Sequence, residues 1–340
     1  MTSREIVQAS LAFAGPPRIP YGMGGGFPTD LRGVGRKGAA NSRAQPWTNR
    51  GAYWEMLDEW GNVWRRLESI TKGEVHHGVI EDGWNLLDWY ELPKTDAADL
   101  YQEARAATEQ HHREGFFVLG SVGWPFNIAR YMRRMEVFLA DVALEPERVR
   151  DLLQRITDLL EVEIYRLADC GVDGIKSGED WGTQDRLLVS PRAFRDLFLP
   201  CFRQLCGAAH SRGLSVWFHS CGHVTEVLED WAQAGINVCQ FDQPELHGID
   251  YLAEHFGGRL HFWSPVDIQQ TLQTRDPVAI EQAAREYVEK LGSFGGGFIA
   301  GYYGSNEAIG LDPKYQEIAS RAFMKYGDPA PAKRASAGSR

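Results

Sequence analysis

Short apolar runs that end in glycine or a polar residue alternate, from about residue 116 onward, with longer stretches of helical spacing. FFVLGSV (116–122) precedes a predicted helix near 127–140, and GIKSGED (174–180) follows one near 146–169. LSVWFHSCG (214–222), NVCQFD (237–242), RLHFWSPVD (259–267) and GGFIAGYYG (296–304) each precede a further helical stretch. Strands that alternate with helices build βαβ units and a parallel sheet. With right-handed crossovers, such units leave either an open doubly wound sheet or a closed barrel. No glycine-rich phosphate motif opens the first unit, so the barrel is the expected form. RIPYGMG (18–24) reads as the first strand, giving seven strands of the eight. The eighth is sought in 51–90, although DEWGNVWRRL and EVHHGVIED there look more like strands of an insertion.

Local signals agree. Ser190-Pro191, Asp276-Pro277 and Asp312-Pro313 each place a capping residue before proline at the first helical position. The expected fold is therefore α/β: a single (β/α)8 TIM-type barrel over residues 1–326, with an N-terminal aromatic-rich insertion at 51–92. Residues 17–50, with four glycines within Gly22–Gly26, are expected to form a flexible glycine-rich arm. Residues 327–340, rich in Pro, Ala and Ser, are expected to be a disordered tail.

Composition changes this picture little. The chain has 340 residues, 43% of them hydrophobic and 24% charged, which suits one large barrel. A net charge of −10 without a basic stripe excludes nucleic-acid binding. Five scattered cysteines make no disulfide framework. No stretch approaches membrane length, and the chain is read as cytoplasmic.

In a barrel of this kind, chemistry gathers at the carboxyl ends of the strands. Those positions carry Met23, Ser121 and Trp124, then Glu179, Asp180 and Trp181, then His219, Cys221 and His223, then Asp242 and Gln243, Asp267, and finally Tyr302 and Tyr303. His219 and Cys221 lie two apart on one strand and so share a face, where imidazole and thiolate suit zinc. The plainer alternative is a core cysteine beside a histidine bonded to the backbone. Asp242 and Glu179, at the ends of the flanking strands, are candidates for further ligands or acid–base groups. Cys239 is expected to face elsewhere, and Cys170, Cys201 and Cys206 to pack in the core.

Four stretches are similar to the uroporphyrinogen-decarboxylase superfamily: residues 171–200 with SP-x-x-F-R…P, residues 213–243 with H-x-C-G, FWSPVDIQQTL (262–272), and residues 295–313. DEWGNVWRR (58–66) resembles an N-terminal insertion of that family. The resemblance implies a (β/α)8 barrel and is nearer to the corrinoid- and zinc-dependent methyltransferase branch than to true uroporphyrinogen decarboxylases, whose arginine-bearing N-terminal signature is absent. That branch binds zinc through H-x-C and a later cysteine, which here would fall in GYYGS (301–305). Glu179 is the expected replacement, so the implied metal ligands are His219, Cys221, Asp242 and Glu179. Glu179, Asp242 and His219 are the expected catalytic groups, and Trp181, His223, Tyr302, Tyr303 and Met23 the expected substrate contacts. The implied activity is methyl transfer from a small methoxy or N-methyl compound to a corrinoid (cobalamin) on a separate protein, zinc polarising the leaving heteroatom. Two alternatives stay open: a decarboxylase or lyase of a small carboxylic acid or tetrapyrrole, gripping carboxylates with Arg32 or Arg36, and a non-catalytic tetrapyrrole or corrinoid carrier. The oligomeric state, a homodimer included, stays open too.

Overall fold

A computed structural model describes residues 1–68 and 71–328. Eight parallel strands form a nearly closed barrel with helices between them. The barrel strands are β1 (Tyr21–Gly22), β2 (Leu31–Val34), β7 (Phe117–Ser121), β8 (Gly174–Gly178), β9 (Ser215–His219), β10 (Val238–Gln240), β11 (His261–Ser264) and β12 (Phe298–Gly301). A separate antiparallel sheet, β3 (Gln45–Asn49), β4 (Trp54–Leu57), β5 (Val63–Arg66) and β6 (Glu74–His77), is inserted between β2 and β7. The helices are α1 (Ser3–Leu11), α2 (Gln102–Arg113), α3 (Pro125–Arg133), α4 (Met135–Leu144), α5 (Pro146–Asp169), α6 (Pro191–Ala193), α7 (Leu199–Ser211), α8 (Leu228–Ala234), α9 (Ile249–Phe256), α10 (Pro277–Leu291) and α11 (Pro313–Gly327). Among the described residues no helix is long and apolar enough to cross a membrane.

The eighth strand is not in 51–90. It is β2, inside the segment expected to be a flexible arm, and it pairs in parallel with β7 from Leu31↔Phe117 to Val34↔Gly120. LRGV is short and interrupted by arginine and glycine, so its periodicity is too weak to read as a strand. The tail expected from 327 onward lies, from residue 329, outside the described residues.

The strand period of two sorts side chains into two cores. Leu31, Phe117, Leu119, Trp217, Val238 and Ile299 fill the barrel interior, closed from below by Val7 and Leu11 of α1. The opposite faces, with Ile175, Val216, Phe218, Cys239 and Phe262 among them, pack against the helices. The seam between β1 and β2 has no ladder, only the bridge Gly22↔Thr29. Asp30 closes it. This carboxylate is 2% exposed, accepts two hydrogen bonds from the Arg18 guanidinium at 2.7 Å each, one from Tyr21 N at 2.7 Å and one from Ser3 Oγ at 2.5 Å.

Candidate functional site

Along β8 and the two residues that follow it, positions 176, 178 and 180 alternate with 175, 177 and 179. The first set faces the lumen and the second the helices. Asp180, not Glu179, therefore meets His219 and Cys221. One ligand atom each from Asp180, His219 and Cys221 lies within 4.8 Å of the others. The His219 Nε2 is 3.5 Å from the Cys221 Sγ and 3.5 Å from the Asp180 Oδ1. The Cys221 backbone N–H donates to the same Asp180 oxygen at 3.2 Å.

Two glycines make this convergence possible. Gly178 faces His219 across the ladder, and a Cβ there would lie 2.8 Å from the His219 Cβ. Gly222, the last residue of H-x-C-G, has φ +80° and lies against Gly182, where a Cβ would meet the Gly182 carbonyl oxygen at 2.1 Å. A left-handed backbone with no room for a side chain admits only glycine.

The other imidazole nitrogen is already engaged. His219 Nδ1 donates to Gln240 Oε1, and Gln240 Nε2 donates to Asp242 Oδ1 at 2.9 Å. His219, Gln240 and Asp242 thus form a chain that fixes the ring orientation and leaves Nε2 for the cluster. Burial opposes the imidazolium, but hydrogen bonds with Asp180 and Cys221 outweigh it and push His219 up to about 10. The hydrogen bond from His219, set against burial, holds Asp180 well below the usual carboxylate range. Burial keeps the Cys221 thiol above its ordinary value despite the pull of His219.

A nitrogen, a sulfur and a carboxylate oxygen, with the histidine oriented through its far nitrogen, fit a zinc ion in donor type and number. Asp242, expected as a ligand, stands behind His219 through Gln240.

Glu179 requires correction. Its carboxyl is 1% exposed and points out of the barrel onto the first turn of α3. There Asn127 N donates to Oε1 at 2.7 Å, and Trp181 Nε1 donates to Oε2 at 3.1 Å. Trp124, at the capping position of α3, makes no side-chain cap, so Glu179 supplies it from another element. Burial pushes its carboxyl up to about 8. Strand alternation counted from Lys176 would have chosen Asp180.

Trp181 also requires correction. It is fully buried, stacked on Phe126 with centroids 4.1 Å apart and edge-on to Phe194 and Phe198, so it is core rather than a substrate contact. His223 is turned toward Thr225 and His247, its Nε2 3.4 Å from the Thr225 hydroxyl. Met23 and Tyr302 line a cleft of about 550 Å³ with Gly24, Gly25 and Asn306. Burial and the negative fields of Asp242 and Cys221 raise the pKa of the Tyr303 phenol. The arginines offered for carboxylate binding are engaged elsewhere. Arg36 pairs with Glu59 and Glu163, and Arg32 stacks on Phe116.

Comparison with known proteins agrees with the architecture. A methyltransferase from Methanosarcina mazei is 17% identical over 75% of this chain and 73% of that one, with a TM-score of 0.58. A D-tagatose 3-epimerase-like protein is 13% identical over 71% of this chain and 88% of that one, with a TM-score of 0.42. A D-psicose 3-epimerase is 15% identical over 69% and 84%, with a TM-score of 0.41. The likeness to the methyltransferase concerns the fold alone. No curated protein sequence matches the chain. The model of the uroporphyrinogen decarboxylase (URO-D) family matches residues 77–324, a span that begins after residues 58–66 and holds every barrel strand from β7 to β12. The chain belongs to the uroporphyrinogen decarboxylase family.

Proposed function

We propose that the chain is a methyltransferase that removes a methyl group from a small methoxy or N-methyl compound for delivery to a corrinoid on a separate protein. The observation that carries this reading is the convergence of Asp180, His219 Nε2 and Cys221 Sγ at the mouth of the barrel. These three residues would hold zinc. When bound, the ion supplies Lewis acidity toward the heteroatom that loses the methyl group. Three protein ligands is the count that catalytic zinc sites use, with one position left for water or substrate.

The chain's own residues do the rest. Gln240 holds the His219 ring by its Nδ1 proton, and Asp242 holds Gln240 in turn. The Asp180 carboxyl is held well below the usual carboxylate range by its hydrogen bond with His219, so it is ionised and offers an anionic oxygen to the site. The Methanosarcina methyltransferase supports the reading through its shared barrel, and the engaged state of Arg32 and Arg36 weighs against the decarboxylase alternative.

The test is elemental analysis of chelator-free protein together with methyl transfer to free cobalamin in its reduced state. About one zinc per chain is expected, and it should be lost in Asp180→Ala, His219→Ala and Cys221→Ser variants. Wild-type protein that folds, binds no zinc and demethylates no methoxy or N-methyl compound would overturn the proposal.

A further inference from the structure

Some buried and half-buried cations of this molecule are met by carboxylates: Arg18 is paired with Asp30, Arg36 with Glu59 and Glu163, and Arg133 with Asp141. Others, Arg32, Arg66 and Arg130, rest on aromatic rings and neutral acceptors. Lys176 has no carboxylate partner either, and it alone of these lies on the lumen face of a barrel strand. It faces the lumen from β8, four residues before Asp180 on the same side of the strand, and its Cα is in register with Trp217 of β9, below His219. Its Nζ lies 4.7 Å from the centre of the Trp263 ring. Among the described residues it makes no hydrogen bond or ion pair. Asp242 acts on it only as a field, and burial outweighs that field to lower its pKa.

An indole face attracts an ammonium but gives its N–H groups no acceptor. Lys176 keeps part of its surface exposed on the lumen side, so its N–H donors are open to solvent or to the acceptor of a ligand held below the Asp180, His219 and Cys221 cluster. Trp263 belongs to the same wall, its Cα in register with Gln240 of β10, the partner of His219. A flat apolar surface thus adjoins the cation.

We propose that Lys176 is the substrate's anion anchor: the compound bound in the lumen carries a carboxylate that pairs with Lys176 Nζ, while its apolar part lies against Trp263 and its methyl-bearing end reaches the cluster. The inference rests on the functional reading above and narrows the substrate class to methylated carboxylic acids. A single ammonium with no guanidinium beside it suits one singly charged group. Lys176 would act as a positioning residue, setting which substrates are held and how deep they sit.

The experiment uses the full chain treated with a chelator, without corrinoid. The probes are 3-methoxybenzoate and methoxyacetate, each beside its uncharged amide. One readout is acylation of Lys176 by a succinimidyl ester, followed by peptide mass spectrometry with surface lysines as reference. The other is calorimetric binding to wild type, Lys176→Met and Lys176→Arg. At least one carboxylate should shield Lys176 and bind about tenfold or more tightly than its amide, the usual worth of a charged hydrogen bond. That preference should vanish in Lys176→Met and persist in Lys176→Arg. Lys176→Met should melt no lower than wild type, because it removes a charge with no acceptor.

Two results would overturn the inference: carboxylates that shield and bind no better than their amides, or a Lys176→Met protein that melts lower while keeping the preference, which would make Lys176 a structural counterion of Asp242. Because zinc and corrinoid are both absent, the outcome is separate from that of the methyl-transfer reading. Carboxylate binding without demethylation would remove the activity alone, and demethylation without a carboxylate preference would remove the anchor alone.

Discussion

Gln240 accepts the Nδ1 proton of His219, and this one hydrogen bond decides which imidazole nitrogen is free at the mouth of the barrel. Gln240 comes from β10 and His219 from β9, and the two are directly in register. The orientation of the ring is therefore a property of the sheet.

Removing this support should weaken metal binding without unfolding the barrel. Gln240→Ala is expected to lower zinc affinity by about 10–100-fold, the usual effect of losing a hydrogen-bond partner behind a ligating histidine. Competition with a chromophoric chelator measures it. Unchanged affinity would show that Gln240 does not orient the ligand.

The three acidic residues at the strand ends should separate cleanly. Asp180→Ala is expected to abolish stoichiometric zinc. Asp242→Asn should keep it, because the asparagine oxygen can still accept from Gln240 Nε2. Glu179→Gln should keep it as well, because that carboxyl lies on the helix side of the strand. Zinc content by mass spectrometry would read all three.

Glu179 also predicts a pH dependence. Its pKa is raised from 4.5 to about 8 by burial, so the folded protein holds a proton that the unfolded chain releases. The stabilisation is complete below the ordinary carboxylate range and is lost as pH rises through about 8. Melting temperature should fall between these limits more steeply in wild type than in Glu179→Gln. The variant should itself be less stable at low pH by about 1–3 kcal/mol, since its amide turns a donor toward the Trp181 N–H.

Trp181→Ala should behave as a core deletion. A loss of about 3–5 kcal/mol is expected for removing a fully buried indole. Denaturant unfolding checks the loss. Zinc content per folded molecule should stay at the wild-type value.

At the seam, Asp30→Ala leaves the half-buried Arg18 guanidinium without its carboxylate. Breaking a fully buried pair from one side typically costs about 3–5 kcal/mol, and this partly exposed one at most about 3 kcal/mol. Chemical denaturation should show this loss, with little change in metal binding at the opposite end of the barrel.

The strands with long apolar runs were legible in the sequence, because Phe117–Ser121 and Ser215–His219 are hydrophobic beyond what a surface segment tolerates. β2 was not legible: four residues containing Arg32 and Gly33 carry no period, and only their pairing with β7 makes them a strand. His219 and Cys221 were legible because two-residue spacing on a strand fixes a common face. Glu179 and Asp180 are told apart only by counting the strand end as alternating faces, and Trp181 shares the outward parity of Glu179. The chain from His219 through Gln240 to Asp242 depends on register between two strands, which no single strand reveals.

The pairing of Tyr21 with Ala300 joins the first barrel strand to the last. During synthesis, Tyr21 emerges before its neighbour and must wait for the whole stretch up to Ala300. Until then the sheet presents two unpaired borders, the circumstance in which nascent chains associate wrongly. Maturation of this protein should accordingly slow at a late closing step, and chaperone dependence should track the arrival of residues 298–301 rather than that of the interior.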